Sequence, residues 1–329
     1  MRLVSSAPTR IDLAGGTIDI WPLYIFHEGA STLNAAISLR AHAEIESRTD
    51  GRVLLRSIDG EREVSAARWS DLDPSGDLAL LSLIARHYKI ENATVTTRGE
   101  SPAGAGIAGS SALTIAVCGA LARWTGGSSD PGHLLDVAMN LECRAIRVPA
   151  GVQDFRPALY GGIAAIDLGP DGIRRVALDV DPHELERRIV LVYTGAPRHS
   201  GTNNWEIMKS HIDGDRNVFD CFERIRDTAA AMRVALERSD WDEVGRQIAK
   251  EWENRKRLAP GVTTPVIDDL IVRAQAAGAT AAKVCGAGGG GCLFCYGAPE
   301  SKAAIATALT AGGARLLEYH IEMEGLRLG

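Results

Sequence analysis

The spacing of hydrophobic and polar residues predicts strands and helices mixed along the whole chain. Alternation over residues 31–47 is typical of a long strand, whereas the apolar stripe of residues 78–89 repeats at helical spacing. The run from Ser110 to Trp124 is apolar on nearly every side, so we expect a buried helix there. Further elements expected in the first 180 residues are strands at 2–7, 52–58, 93–98 and 162–169, and a helix at 130–147. The stretch GVQDFRPALYGG, between that helix and the last of these strands, is expected to be a polar loop.

The rest of the chain repeats this mixture with longer, charged helices. A charged stretch from Asp179 to Glu186 is the candidate boundary, and it divides the 329 residues into domains of 1–180 and 181–329. Elements expected after it are strands at 188–194, 279–285, 292–296 and 314–321, and helices at 215–238, 240–258, 264–277 and from about 300. This mixture predicts an α+β fold in two parts.

Composition narrows the choice of partners and location. The formal net charge is −6 and no basic run is present, which argues against nucleic acid or an anionic membrane as a partner. The N-terminus lacks the apolar core of a signal peptide, and no apolar stretch approaches the ~20 residues of a membrane span. We therefore expect a cytoplasmic protein whose six cysteines are buried thiols in a reducing compartment.

One glycine-rich loop runs directly into the apolar helix at Ser110. Its backbone amides and the helix N-terminus together predict a concave site for an anion, most usefully a phosphate, and the serine hydroxyls add a candidate magnesium ligand. We interpret the loop as the triphosphate-binding site of a kinase. Its nucleotide-binding residues are Pro102, Gly104, Gly106, Ile107, Ala108, Gly109, Ser110 and Ser111.

Two other phosphate-binding motifs fit the same loop less well. Gly104, Gly106 and Gly109 match GxGxxG, but a dinucleotide fold needs an acidic residue at a strand end about 20 residues on. Asp130 has that spacing yet stands at a helix cap. A Walker loop requires lysine where this chain has Ser110.

Three separated motifs resemble the GHMP kinase superfamily, and the resemblance covers nearly the whole chain. They are RIDLAGGTID at 10–19, PAGAGIAGSSAL at 102–113 and KVCGAGGGGC at 283–292. The stretches AGGTID, LNAAI, GVQDFRPALYGG and YTGAPRHSG are most similar to the branch of D-glycero-D-manno-heptose 7-phosphate kinase and the fucokinase-like enzymes. The resemblance implies a ribosomal S5 domain 2-like N-terminal domain and a ferredoxin-like C-terminal domain. It also implies ATP- and Mg²⁺-dependent phosphorylation of a sugar or sugar phosphate, commonly at the anomeric hydroxyl, by a monomer or homodimer.

The resemblance also assigns roles to individual residues. Asp154 is expected to accept the proton of the sugar hydroxyl and Arg10 to pair with it, while Ser111 and Glu142 are expected to bind Mg²⁺. Asp19 and Gly16, in a loop that combines charges with paired glycines, are expected at the sugar. Gly288 and Gly289 of the GAGGGG segment are expected to bring backbone close to the substrate.

This chain departs from the branch pattern where the sugar is expected. It reads GGTID in place of GGGTD, and Phe155-Arg156-Pro157 replaces Gln-Tyr-Ala after Asp154. We therefore expect Arg156 or Arg198 to contact an anionic group of the substrate. Two alternatives stay open at this point: a kinase of a non-sugar alcohol, including a decarboxylating enzyme of the mevalonate type, and a non-catalytic sensor of nucleotide or sugar.

Overall fold

A computed structural model describes residues 1–197 and 200–329, and it leaves Arg198 outside the described residues. Up to residue 177 the elements are β1 (Arg2–Ala14), β2 (Ser31–Ser47), β3 (Val53–Ser57), β4 (Arg62–Ala66), α1 (Ala79–His87), β5 (Ala93–Gly99), α2 (Gly109–Thr125), α3 (Pro131–Ile146), α4 (Phe155–Tyr160), β6 (Ile163–Gly169) and β7 (Gly172–Ala177). The later elements are α5 (Pro182–Arg188), β8 (Ile189–Tyr193), α6 (Ser200–Ile212), α7 (Arg216–Glu237), α8 (Trp241–Arg255), α9 (Pro265–Ala276), β9 (Ala279–Val284), β10 (Cys292–Gly297), α10 (Lys302–Ala311), β11 (Arg315–Leu316) and β12 (Arg327–Leu328).

Two sheets carry these elements. In the first sheet the order is β12-β1-β2-β5-β3-β4, and β6 pairs with both β2 and β7. The second sheet has the order β11-β8-β10-β9, and all its pairs are antiparallel. Helices and strands are mixed in both parts, as the α+β prediction requires.

Helix α2 is the centre of the first core, as its all-round apolar sequence predicts. Its residues Ile115 and Leu121 are fully buried among side chains of α1, α3 and the first sheet. Burying a side chain of this size contributes roughly 1.5–3 kcal/mol each. Because α2 is fixed in this way, the loop that precedes it has a rigid support.

Strand β1 is longer than the strand predicted at residues 2–7. It continues to Ala14, with Arg10 opposite Ala36 and Asp12 opposite Asn34 of β2. Charged residues usually favour a loop, but here their side chains are buried and paired with other charges. The strand therefore carries polar side chains into the centre of the molecule.

Two other predictions are wrong. The stretch around Asp154, expected as a polar loop, contains the short helix α4. The strand expected at 314–321 is paired only over Arg315–Leu316, after which the chain crosses to the first sheet. There Ile321 bridges Ile37, and β12 pairs with β1. The boundary near residue 180 stays a prediction, although the last residues of the chain pack on the first sheet.

None of the helices in residues 1–197 and 200–329 has the length and apolar character needed to cross a membrane.

Candidate active site

The loop between β5 and α2 follows a backbone path that most side chains disfavour. The φ angle is 67° at Gly104, 79° at Gly106 and 61° at Ala108, which directly precedes α2. Within the described residues no side chain caps this helix start. The first N–H groups of a helix have no partner inside the helix and carry partial positive charge. The loop therefore presents backbone donors suited to an anion.

The glycine-rich segment between β9 and β10 lies directly against this loop. The amide of Cys292 donates to the carbonyl of Ala105 over 2.7 Å. A Cβ atom at Gly291 would stand only 2.6 Å from the same oxygen, and φ there is 79°. Glycine is therefore required at 291, and the contact joins the second sheet to the candidate phosphate site.

A cleft of about 380 Å³ opens over the loop. Its walls include seven of the eight residues predicted to bind nucleotide, namely Pro102, Gly104, Gly106, Ala108, Gly109, Ser110 and Ser111. Ile107 differs, because its side chain is fully buried in the core and its carbonyl accepts the Arg10 amide over 3.0 Å. The two predicted acidic residues, Glu142 and Asp154, line the same cleft.

Glu142 is a buried carboxyl whose neighbours are hydroxyl groups. Ser111 donates to Oε1 over 3.3 Å and Thr114 to Oε2 over 3.4 Å. Burial raises the pKa of Glu142 to about 7, and the negative charge of Asp154 adds to the shift. A cation in the cleft would stabilise both carboxylates, so this side of the cleft has the chemistry of a site for a hard divalent ion.

Arg10 and Asp154 form a close ion pair at the end of the cleft. Nη2 and Nε of Arg10 donate to one oxygen of Asp154 over 2.6 and 3.1 Å, and Nη1 donates to the Gly106 carbonyl over 3.0 Å. Although burial opposes the charged form, the charges of Asp154 and Asp12 raise the pKa of Arg10. Arg10 is therefore a fixed cation that joins the acidic residue to the loop.

Behind this pair lies a network of buried charges that the sequence reasoning missed. Nζ of Lys283 lies 3.3 Å from Asp12 and 3.1 Å from Glu251, and Arg255 lies 3.3 Å from Asp12 and 2.9 Å from Glu251. Burial would raise the pKa of Asp12, but the three surrounding cations lower it to about 2. A lysine inside the apolar run before GAGGGG and the i,i+4 spacing of Glu251 and Arg255 were the signals available.

A second cavity, of about 30 Å³, lies on the other side of Asp154. Asp19 lines it and accepts from the amide of Gln153 over 3.0 Å and from its side-chain nitrogen over 3.2 Å. Burial, followed by the charge of Asp154, raises the pKa of Asp19 to about 7. Asp154 and Asn204 are on the walls of both cavities.

The other residues predicted to bind substrate do not all lie at the two cavities. A Cβ atom at Gly16 would lie 2.5 Å from Nη1 of Arg255, so only glycine fits beside that cation. Gly286 and Ala287 reach the small cavity, whereas Gly288 and Gly289 lie against Val262. Arg156 donates to the Val152 carbonyl over 2.7 Å and is not on the wall of either cavity. Its contact with a substrate anion, like that of Arg198, stays a prediction.

Known proteins are similar to this chain along nearly its whole length. The family model described as the GHMP kinases N terminal domain matches residues 78–162, and the model for the GHMP kinases C terminal part matches residues 232–315. A D-glycero-alpha-D-manno-heptose 7-phosphate kinase of Campylobacter jejuni is 27% identical over 98% of this chain and 97% of its own. A mevalonate kinase of Thermococcus sibiricus is 26% identical over 100% of this chain and 98% of its own.

A solved crystal structure has the same fold. The crystal structure of a D-glycero-D-manno-heptose 1-phosphate kinase from Bacteroides thetaiotaomicron superposes with a TM-score of 0.80 at 25% identity, covering 99% of this chain and 98% of that one. The predicted two-part α+β architecture is therefore confirmed. Both family models match in their proper order, and relatives align along their whole length; the chain belongs to the GHMP kinase family.

Proposed function

We propose that this protein is an ATP-dependent kinase that transfers the γ-phosphoryl group to a hydroxyl of a sugar or sugar phosphate. One observation carries the proposal: Asp154, held by Arg10, forms a wall of both the large cleft and the small cavity. Phosphoryl transfer requires the nucleotide and the acceptor alcohol to be held next to each other, with the carboxylate that handles the hydroxyl proton between them. The heptose phosphate kinases among the relatives favour a sugar phosphate as the acceptor.

The large cleft is the proposed nucleotide site. GHMP kinases use ATP as the phosphoryl donor, generally with Mg²⁺. Backbone amides of the loop and of the start of α2 would bind the phosphates without a lysine side chain, because both line the cleft and the first amides of a helix have no partner within it. Burial of α2 keeps those donors in place, so they need no rearrangement when the reaction begins.

Asp154 and Arg10 are the proposed catalytic pair. As the acceptor oxygen attacks the γ-phosphorus and the bond to the ADP oxygen breaks, the hydroxyl proton passes to the Asp154 carboxylate. Arg10 contacts the same carboxylate over 2.6 Å and so holds it in position between the two cavities. Asp19, in the small cavity, would bind hydroxyl groups of the acceptor and orient it toward Asp154.

Ser111 and Glu142 are the proposed ligands of Mg²⁺. Their positions fit a divalent ion, because the buried carboxyl of Glu142 meets hydroxyl donors, and Asp154 adds negative charge to the same cleft. When bound, the ion would neutralise negative charge on the transferring phosphoryl group. Ser111→Ala should therefore weaken the dependence of activity on magnesium.

Magnesium affinity should rise with pH through about 7, because Glu142 must lose its proton to bind the ion. The direction of the change follows from the raised pKa of Glu142 in the folded protein. Without magnesium, the stability associated with neutral Glu142 is complete below pH ~4 and is lost as the pH rises through the folded value. We expect the magnesium concentration that gives half-maximal activity to decrease as the pH is raised from 6 to 8. Glu142→Gln should flatten this dependence, and an unchanged slope in that variant would count against the assignment.

The substrate class can be tested with a panel of acceptors assayed for ADP release. Heptose 7-phosphate, mannose 6-phosphate, fucose and mevalonate cover the classes named by the relatives. We expect sugar phosphates to give the highest kcat/KM. Preference for mevalonate would select the non-sugar alternative, whereas nucleotide binding with no turnover on any acceptor would favour a sensor.

A further inference from the structure

Two side-chain oxygens at the small cavity meet no hydrogen-bond donor among the described residues. They are Oε1 of Gln153 and Oδ1 of Asn204, and both are buried from solvent at the atomic level. The two residues line the cavity next to Asp19 and Asp154. Leaving a buried acceptor without a donor costs about 1–3 kcal/mol, so these positions call for a ligand that supplies hydrogen-bond donors.

The orientation of Gln153 is determined by its neighbour. Its side-chain nitrogen donates to Oδ1 of Asp19 over 3.2 Å, and its backbone amide donates to Oδ2 over 3.0 Å. An ionised carboxylate accepts and does not donate, so the amide nitrogen of Gln153 faces Asp19 when Asp19 is ionised. The oxygen is therefore the atom left without a partner, and the side chain, only 4% exposed, has little freedom to turn.

The cations that line the same cavity are already engaged within the protein. Arg255 donates to Asp12, Glu251 and Thr17. Arg10 donates to Asp154 and to the carbonyl of Gly106. The buried side-chain atoms without a partner at this cavity are therefore acceptors, within the part of the chain that the structure describes.

We propose that Gln153 and Asn204 determine acceptor specificity by accepting hydrogen bonds from hydroxyl groups of the substrate. The proposal rests on the proposed function and names the part of the acceptor that reaches into the small cavity: its neutral hydroxyl groups. Any phosphate of the substrate would lie away from this wall.

A carboxylate brought to the same wall would meet acceptors in place of donors. Its oxygens would face Oε1 of Gln153, whose amide is oriented by Asp19, and would lie close to the negative charges of Asp154 and of Asp19 once ionised. Sites built to hydrogen-bond a hydroxyl can discriminate against analogues that lack it by roughly 10⁴-fold. The geometry therefore predicts a strong preference for polyols over mevalonate, whose hydroxyl-bearing chain ends in a carboxylate.

Asn204→Ala is the cleanest test, because Oδ1 of Asn204 accepts no hydrogen bond from the described residues. Acceptor binding is measured first, by calorimetric titration of heptose 7-phosphate and mannose 6-phosphate into the full chain with a non-hydrolysable ATP analogue and Mg²⁺. The variant should bind these sugars roughly tenfold more weakly, the loss of one or two hydrogen bonds. Its Kd for the ATP analogue should not change. Asn217→Ala, at an exposed position of α7, is the matched control.

A cycle of substrate and protein changes separates a direct contact from a structural effect. Deoxy analogues of the best sugar phosphate, each lacking one hydroxyl, are tested against wild type, Asn204→Ala and Gln153→Met. For one analogue, the loss of binding affinity that each variant causes should disappear, because the hydroxyl that the altered side chain contacts is already absent. Gln247→Met, at a buried glutamine that contacts Glu243, controls for loss of a buried amide.

The outcomes distinguish this inference from the proposed function. Equal penalties for every analogue, or a weaker affinity for the ATP analogue alone, would overturn the roles of Gln153 and Asn204 while leaving a sugar kinase intact. Sugar binding that depends on both residues, without phosphoryl transfer, would support the inference and contradict the proposed function. Tighter binding of mevalonate than of any sugar phosphate would contradict both.

Discussion

Asp154→Asn should lower kcat by about 10²–10⁴-fold, the range contributed by a positioned general base. Asparagine has the same shape, but its side chain cannot take the proton of the acceptor hydroxyl, and the charge that opposes Arg10 is lost. The Kd for ATP should stay close to that of wild type, because the proposed phosphate site is formed by backbone amides of the loop before α2. The measurement is steady-state ADP release combined with calorimetric titration of ATP.

Asp167→Asn is the matched control for that variant. Asp167 also pairs with arginine, at 3.1 Å from Arg174 and 3.0 Å from Arg233, but it lies on β6 away from both cavities. Its kcat should be near normal. Near-normal kcat in Asp154→Asn would remove the proposed base and with it the reason for placing the acceptor in the small cavity.

Lys283→Met should lower the free energy of unfolding by about 3–5 kcal/mol, because it removes one of the two cations that Asp12 and Glu251 share and leaves excess negative charge in the buried network. Nζ of Lys283 lies within 3.3 Å of Asp12 and 3.1 Å of Glu251, and all three side chains are fully buried. Methionine fills similar volume, so lost charge pairing accounts for most of the change. Urea unfolding followed by circular dichroism measures it.

Lys209→Met provides the comparison, since Lys209 pairs with Asp213 at the surface of α6. An exposed pair of this kind contributes about 0–1 kcal/mol. The second change Glu251→Gln should restore part of the stability lost in Lys283→Met, because it removes the negative charge left in excess in the network. Equal, small effects of Lys283→Met and Lys209→Met would show that the buried network contributes little to stability.

The parts of the site that lie on local motifs were open to prediction from the sequence. A glycine-rich loop followed by an apolar helix determines where backbone amides point, and Ser111 and Gly104 lie on the cleft wall that this pattern predicts. The pairing of Arg10 with Asp154 was expected from family resemblance, and the two side chains are in contact. These features depend on few residues close together in the chain, or on motifs shared by relatives.

Features that depend on tertiary pairing could not be predicted in the same way. Charged residues in β1 suggested a loop, because single-sequence patterns do not show that Asp12 finds Lys283 and Arg255 far along the chain. The last residues of the chain return to the first sheet, where β12 pairs with β1. No local sequence pattern predicts this pairing. Gln153 and Asn204 were missed for the same reason, because only the folded chain shows which polar atoms lack partners.

The most direct test of the central claim is phosphorus NMR of the full chain incubated with ATP, Mg²⁺ and heptose 7-phosphate or mannose 6-phosphate. The claim is that backbone amides hold the nucleotide beside Asp154, which activates a sugar hydroxyl in the adjoining cavity. It predicts a new sugar phosphate ester signal that grows in step with ADP and is nearly absent with Asp154→Asn. ATP turnover without that new ester, or an ester that forms equally fast in the variant, would contradict it.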